Sequence, residues 1–105
     1  MPGAWITDLR HYLTPDGSLP ELPGPVLGFA LFLGSIVAWV TSHPAPGHTR
    51  TNVPCRRRPG RRRCVAEIVA RLRLDGETIA WQCPLCGDHG LIYGWQGTWW
   101  DRRGE

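Results

Sequence analysis

Lysine is missing from this chain: all twelve basic residues are arginine. A genome rich in G and C produces that bias through codon usage alone, so the absence has little functional weight. A phosphate-binding loop, a dinucleotide fingerprint and a paired-carboxylate motif are also missing. Asp8, His11 and Asp16, with Ser18 or Ser35, form no nucleophile arrangement visible in the sequence. The polar trio Arg10-His11-Tyr12 reads as structure. These absences remove the common enzyme classes, and a non-enzymatic protein is the expectation. The opening MPGAWITDLR has no basic region ahead of an apolar run, so no secretory leader and a cytoplasmic location are expected.

Gly24 to Ser42, GPVLGFALFLGSIVAWVTS, contains no charged residue. This length reaches the lower end of the membrane-spanning range. However, Glu21 precedes the run, His43 follows it, and no basic cluster flanks it. A buried helix from about Pro25 to Thr41 is therefore expected, with Pro25 suiting its first turn. Such a helix is apolar nearly all round and needs cover on more than one side. A chain of 105 residues buries a modest core, so a metal or disulfide cross-link contributes noticeably to its stability.

Thirteen glycines and ten prolines announce many turns. AWITDLRHYL, Ala4 to Leu13, alternates in part like a strand, and TPDGSLPELPGP follows as turn and loop. SHPAPGHTRTNVP reads as an irregular linker after the helix. VAEIVARLRL then places Ile68, Ala70, Leu72 and Leu74 on one face, Asp75-Gly76 signals a hairpin, and ETIAWQC returns with Ile79, Trp81 and Cys83 sharing a face. GLIYGW gives a third strand and QGTWWD a terminal one. The expected fold is α+β, an apolar helix with a small antiparallel sheet of three or four strands. Residues 1–53 form an N-terminal helical segment packing on a cysteine-bearing domain of residues 54–105.

The cysteines are spaced Cys55-x8-Cys64, then eighteen residues, then Cys83-x2-Cys86. Four thiolates complete a tetrahedral set for Zn²⁺. CPLCG has the form of a zinc knuckle, with Gly87 free to take positive φ, and the Asp75-Gly76 hairpin brings Cys64 beside Cys83. A thioredoxin-like pair wants a helix inside the motif, haem attachment needs a histidine where Gly87 stands, and structural disulfides need an oxidising compartment. A rubredoxin-like iron centre uses the same four ligands and stays open beside zinc. His89 is an alternative ligand to Cys55. A closed shell of four thiolates has no open coordination position, so the metal is expected to be structural.

With these residues in place, the region from Cys55 to Asp101 resembles the zinc-ribbon proteins, in which two cysteine-bearing turns clamp a metal beside a small antiparallel sheet. CRRRPGRRRC with WQCPLCGDHGLIYGWQGTWWD further resembles a family of short, uncharacterised bacterial proteins with a single such ribbon. The resemblance implies metal ligation by Cys55, Cys64, Cys83 and Cys86, and it implies no activity. A typical ribbon has a CxxC-type pair at both turns, whereas here the first pair spans eight residues.

The first 54 residues carry −1 and the rest +4. Four thiolates on one Zn²⁺ leave that cluster at about −2. Arg56, Arg57, Arg58, Arg61, Arg62 and Arg63 surround the site, with Pro59-Gly60 splaying them. They can neutralise the cluster or pair with Glu67, Asp88 and Asp101. Alternatively they contact nucleic acid, with bases stacking on Trp95, Trp99 or Trp100, of which Trp99 is the residue assigned to stacking. A protein partner, or a homodimer through the apolar helix, is the remaining expectation for partners; a membrane is not expected.

Overall fold

A computed structural model describes residues 4–16, 18–43, 49–56, 62 and 64–103. Five strands form one sheet: β1 (Ala4–Asp8), β2 (Thr49–Pro54), β3 (Glu67–Leu72), β4 (Ile79–Gln82) and β5 (His89–Tyr93), in the spatial order β1-β5-β4-β3-β2. The helix α1 (Gly24–Ser42) packs against β2, β3 and β4. The chain is therefore α+β, as its patterning predicts. Segment 1–53 supplies β1 and most of β2, the two edges of the sheet, and segment 54–105 supplies the three central strands.

Period-two alternation decides which side chains meet the helix. Ile68, Ala70, Ile79, Trp81 and Ile92 are buried, joined by Thr51 and Val53 from β2. From α1 come Ala30, Phe32, Leu33, Gly34, Ile36, Val37, Val40 and Thr41. Each large aliphatic side chain withdrawn from water contributes roughly 1.5–3 kcal/mol. The helix is long and apolar enough to cross a membrane, and 44% of its most apolar window is buried inside the protein. Leu31 and Val26 stay exposed.

The β3–β4 hairpin forms where Asp75-Gly76 predicts it. Gly76 takes φ 70°. The Asp75 carboxylate accepts from the N–H groups of Glu77 and Thr78 and from the Thr78 hydroxyl, which ties the loop shut. Leu72 pairs with Ile79 as the last rung, so Leu74 lies beyond the sheet and is fully exposed instead of sharing the Ile68 face.

Four further departures have local causes. The first strand stops at Asp8, where a 3-10 turn begins (Leu9–Tyr12), because the Asp8 carboxylate captures the backbone N–H and guanidinium of Arg10. β1 then pairs in parallel with β5, so the sheet is not wholly antiparallel. The stretch read as a linker contains β2, whose Thr51 and Val53 point inward. Pro44 and Pro46, which marked it as irregular, precede the strand, and Pro54 within it is tolerated because β2 is an edge strand. Finally, QGTWWD is a pair of turns and not a strand. Gly97 sits at φ 73°, and the N–H groups of Thr98 and Asp101 donate to the carbonyls of Trp95 and Thr98.

Asp101 holds those turns. It accepts from the Gly97 N–H and from the backbone and guanidinium of Arg103, which in turn lies 4.6 Å from the centroid of the Trp95 ring. The Arg103 hydrogen bonds outweigh burial and bring the Asp101 carboxyl to about 2. A lowered carboxyl stabilises the fold above its unfolded value near 3.8, and that stability is lost as pH falls towards about 2. Asp101→Asn is expected to cost about 1–2 kcal/mol in urea unfolding at pH 6, with the difference from wild type shrinking as the pH drops below 4. A pH-independent difference would count against the ion pair as its source.

Candidate metal centre

Two sheet connections meet at one end of the sheet. Cys55 follows β2, Cys64 precedes β3, and Cys83 and Cys86 lie between β4 and β5. Antiparallel pairing sends the end of β2, the start of β3, the end of β4 and the start of β5 to the same edge. The four sulfurs consequently lie within 4.8 Å of one another. Cys55 Sγ is 3.7 Å from Cys86 Sγ, and Cys64 Sγ is 3.5 Å from Cys83 Sγ. A tetrahedron with metal–sulfur bonds near 2.3 Å has edges of about 3.8 Å, so these thiols are spaced to fit a metal ion. None of the four is in a disulfide among the described residues.

The surroundings are those of a metal-binding pocket. Cys55, Cys64 and Cys83 are buried, and Cys86 is partly so. Burial pushes the Cys83 thiol up, but the backbone N–H groups of Cys86 and Leu85 and the neighbouring Cys64 thiol outweigh it and bring it to about 7. Burial raises the Cys86 thiol, and negative charge on Cys83 adds to that. Of the two knuckle sulfurs, Cys83 thus ionises before Cys86. The Cys86 N–H stands 3.4 Å from Cys83 Sγ. Gly87, at φ 81°, returns its N–H to the Cys83 carbonyl and closes the knuckle. A second connection locks Cys55, whose N–H donates to the Ala66 carbonyl at 2.9 Å.

Asp88 supports the knuckle in a way its place in the sequence does not reveal. Its carbonyl accepts the Cys83 N–H at 2.7 Å, and its buried carboxylate accepts from the Trp5 indole at 3.1 Å. This joins β1 to the cysteine turn. A partner so remote in sequence has no signal in spacing or alternation. Gly90 completes the arrangement: a Cβ there would run into the Trp5 carbonyl and the Trp81 indole.

His89 does not join the cluster. It is exposed on β5, with Nδ1 3.0 Å from the Gly87 carbonyl, while Cys55 brings its own sulfur to the site. Of the six arginines, Arg57, Arg58, Arg61 and Arg63 lie outside the described residues. Arg62 is exposed. Arg56 lies over two rings of α1, 5.1 Å from the Phe29 centroid and 5.9 Å from that of Phe32. Among the described residues, Glu67 pairs with Arg50, Asp88 accepts from Trp5, and Asp101 holds Arg103.

The tryptophans divide as their crowding predicts. Trp81, Trp95 and Trp100 are buried, while Trp99 is 77% exposed. Trp99 lines a cleft with Leu31, whereas Arg56 reaches α1 through Phe29 and Phe32. The indole and the first arginine thus meet α1 at different residues. No protein-family model matches this chain, and neither a curated protein nor a solved structure is significantly similar to it.

Proposed function

We propose that the chain is a non-enzymatic binding module whose fold is held by one structural zinc ion on Cys55, Cys64, Cys83 and Cys86. The observation that supports this reading is the convergence of four sulfurs from two sheet connections to within 4.8 Å of one another. Zinc bound there would neutralise thiolates that burial otherwise disfavours and would tie β2, β3, β4 and β5 together at one end. Four sulfur donors fill a tetrahedral shell, so no position is available for substrate. Ligation by thiolates suits a reducing compartment, in keeping with a cytoplasmic protein. Elemental analysis of protein purified from cells, without added metal, should give one zinc per chain and no visible absorption. Iron with a visible chromophore would replace this reading by an electron-transfer one.

The partner proposed for the module is anionic, and nucleic acid is the form tested. The support is the excess of arginine after Cys55, which outlasts neutralisation of the thiolates. A filter-binding assay with mixed RNA and DNA should show affinity that falls steeply between 50 and 200 mM salt, as counterion release requires. Absence of binding even at the lower salt would remove nucleic acid as the partner.

A further inference from the structure

Away from the cysteines, a cleft of about 560 Å³ opens between α1 and the C-terminal turns. Its walls include Leu19, Leu31, Trp99 and Trp100, with Asp16 and Thr98 at the polar side. Leu19 and Leu31 are more than a third exposed, and Trp99 is 77% exposed. An indole left this open costs solvation unless something covers it. Its neighbours decide what that is.

Among the described residues, Asp16 contributes the only charged side chain to this wall. Its Oδ1 accepts from the Ser18 N–H at 3.0 Å and from the Thr14 hydroxyl. Those bonds, led by that from Thr14, keep the carboxyl ionised. No cation neutralises it among the described residues. Arg10 lines the adjoining cleft with Asp16, and its Nε and Nη2 are already bound to Asp8. The cleft therefore combines an unneutralised anion, an exposed π face and aliphatic walls.

We propose that this cleft binds an organic cation of the trimethylammonium type, its charge facing Asp16 and its methyl groups against the Trp99 face. Charge complementarity selects a cation, and the exposed indole selects one that can meet a ring. The apolar walls select further. A primary ammonium carries three donors that need partners, and a guanidinium prefers two carboxylate oxygens. With Oδ1 already occupied twice, Asp16 offers Oδ2, which suits a cation that needs no hydrogen bond. The site is independent of the metal centre.

The test follows the indole N–H signals by NMR while choline is titrated into the zinc-loaded full chain. Binding with Kd on the order of 1 mM is expected. Trp99→Ala and Asp16→Asn should each weaken it at least tenfold, and Trp99→Phe should retain part of it. Both side chains are exposed, so these variants should keep the wild-type fold, which the unperturbed signals of buried Trp81 and Trp95 would verify. The neutral isostere 3,3-dimethylbutanol and the primary amine ethanolamine should bind more weakly than choline. Co-sedimentation with phosphatidylcholine vesicles, but not phosphatidylglycerol ones, would assign the group to a lipid headgroup; choline binding without vesicle binding would assign it to a free small molecule. The proposal is overturned if the neutral alcohol binds as well as choline, if Trp99→Ala has no effect, or if choline well above 1 mM shifts no indole.

Discussion

Cys83→Ser is expected to leave the protein unable to hold zinc and largely unfolded across β3, β4 and β5. Cys83 has its thiol lowered to about 7, and its Sγ is 3.5 Å from Cys64 Sγ. Its backbone also anchors the knuckle through the carbonyls of Asp88 and Cys83 itself. Structural zinc in small domains binds with an apparent 10–16 kcal/mol or so, whereas a domain of this size is stable by about 5–15 kcal/mol. Losing the metal thus removes as much free energy as the whole fold holds in reserve. Near-ultraviolet circular dichroism should lose the tryptophan signal, and zinc content should fall to near zero. Chelation of wild-type protein should reproduce the result, and added zinc should reverse it.

Cys55 makes the same experiment discriminating. An eight-residue gap to Cys64 leaves room, on sequence grounds, for His89 to serve in its place. Buried Cys55 lies 3.7 Å from Cys86 Sγ, and His89 turns its Nδ1 onto the Gly87 carbonyl. Cys55→Ser is therefore expected to be as damaging as Cys83→Ser. Retention of zinc and of the thermal midpoint in Cys55→Ser, combined with their loss in His89→Ala, would reverse the assignment of those two residues.

The site was legible because its determinants are local. Two cysteines in CPLCG, a glycine able to take positive φ and an Asp-Gly hairpin between Cys64 and Cys83 each act within a few residues, and together they bring sulfurs to one edge. Alternation through Ile68, Ala70, Ile79 and Trp81 correctly identified the buried face for the same reason. What spacing could not reveal depends on partners distant in the chain. β1 pairs with β5 across nearly the full sequence, and the Trp5–Asp88 hydrogen bond follows from that pairing. β2 was obscured by Pro44 and Pro46 just ahead of it, which read as linker punctuation, while its own Pro54 is harmless at a sheet edge. In QGTWWD the aromatic run favours a strand, and the left-handed Gly97 overrules it. Once the chain turns there, Trp100 goes inward and Trp99 outward, and only the tertiary fold decides which is which.

That inward turn leads to a change of sign that tests the packing directly. Gly34 lies in the middle of α1, where glycine costs about 1 kcal/mol relative to alanine. It is there because the Trp100 indole lies on it: a Cβ at Gly34 would penetrate the ring at Cε2, Cδ2 and Nε1. The ring cannot withdraw freely, since the Trp100 segment is tied to the helix by the Arg102 N–H donating to the Thr41 hydroxyl at 2.9 Å. Gly34→Ala is accordingly expected to destabilise by about 1–3 kcal/mol despite its better helix propensity. Trp100→Ala empties the space and should cost roughly 3–5 kcal/mol. In the Trp100→Ala background the clash is gone, so Gly34→Ala should become stabilising by about 1 kcal/mol through helix propensity. Urea unfolding of the four proteins of this cycle measures each term. If Gly34→Ala has the same sign in both backgrounds, the indole does not rest on Gly34, and the cover over this side of α1 must come from elsewhere.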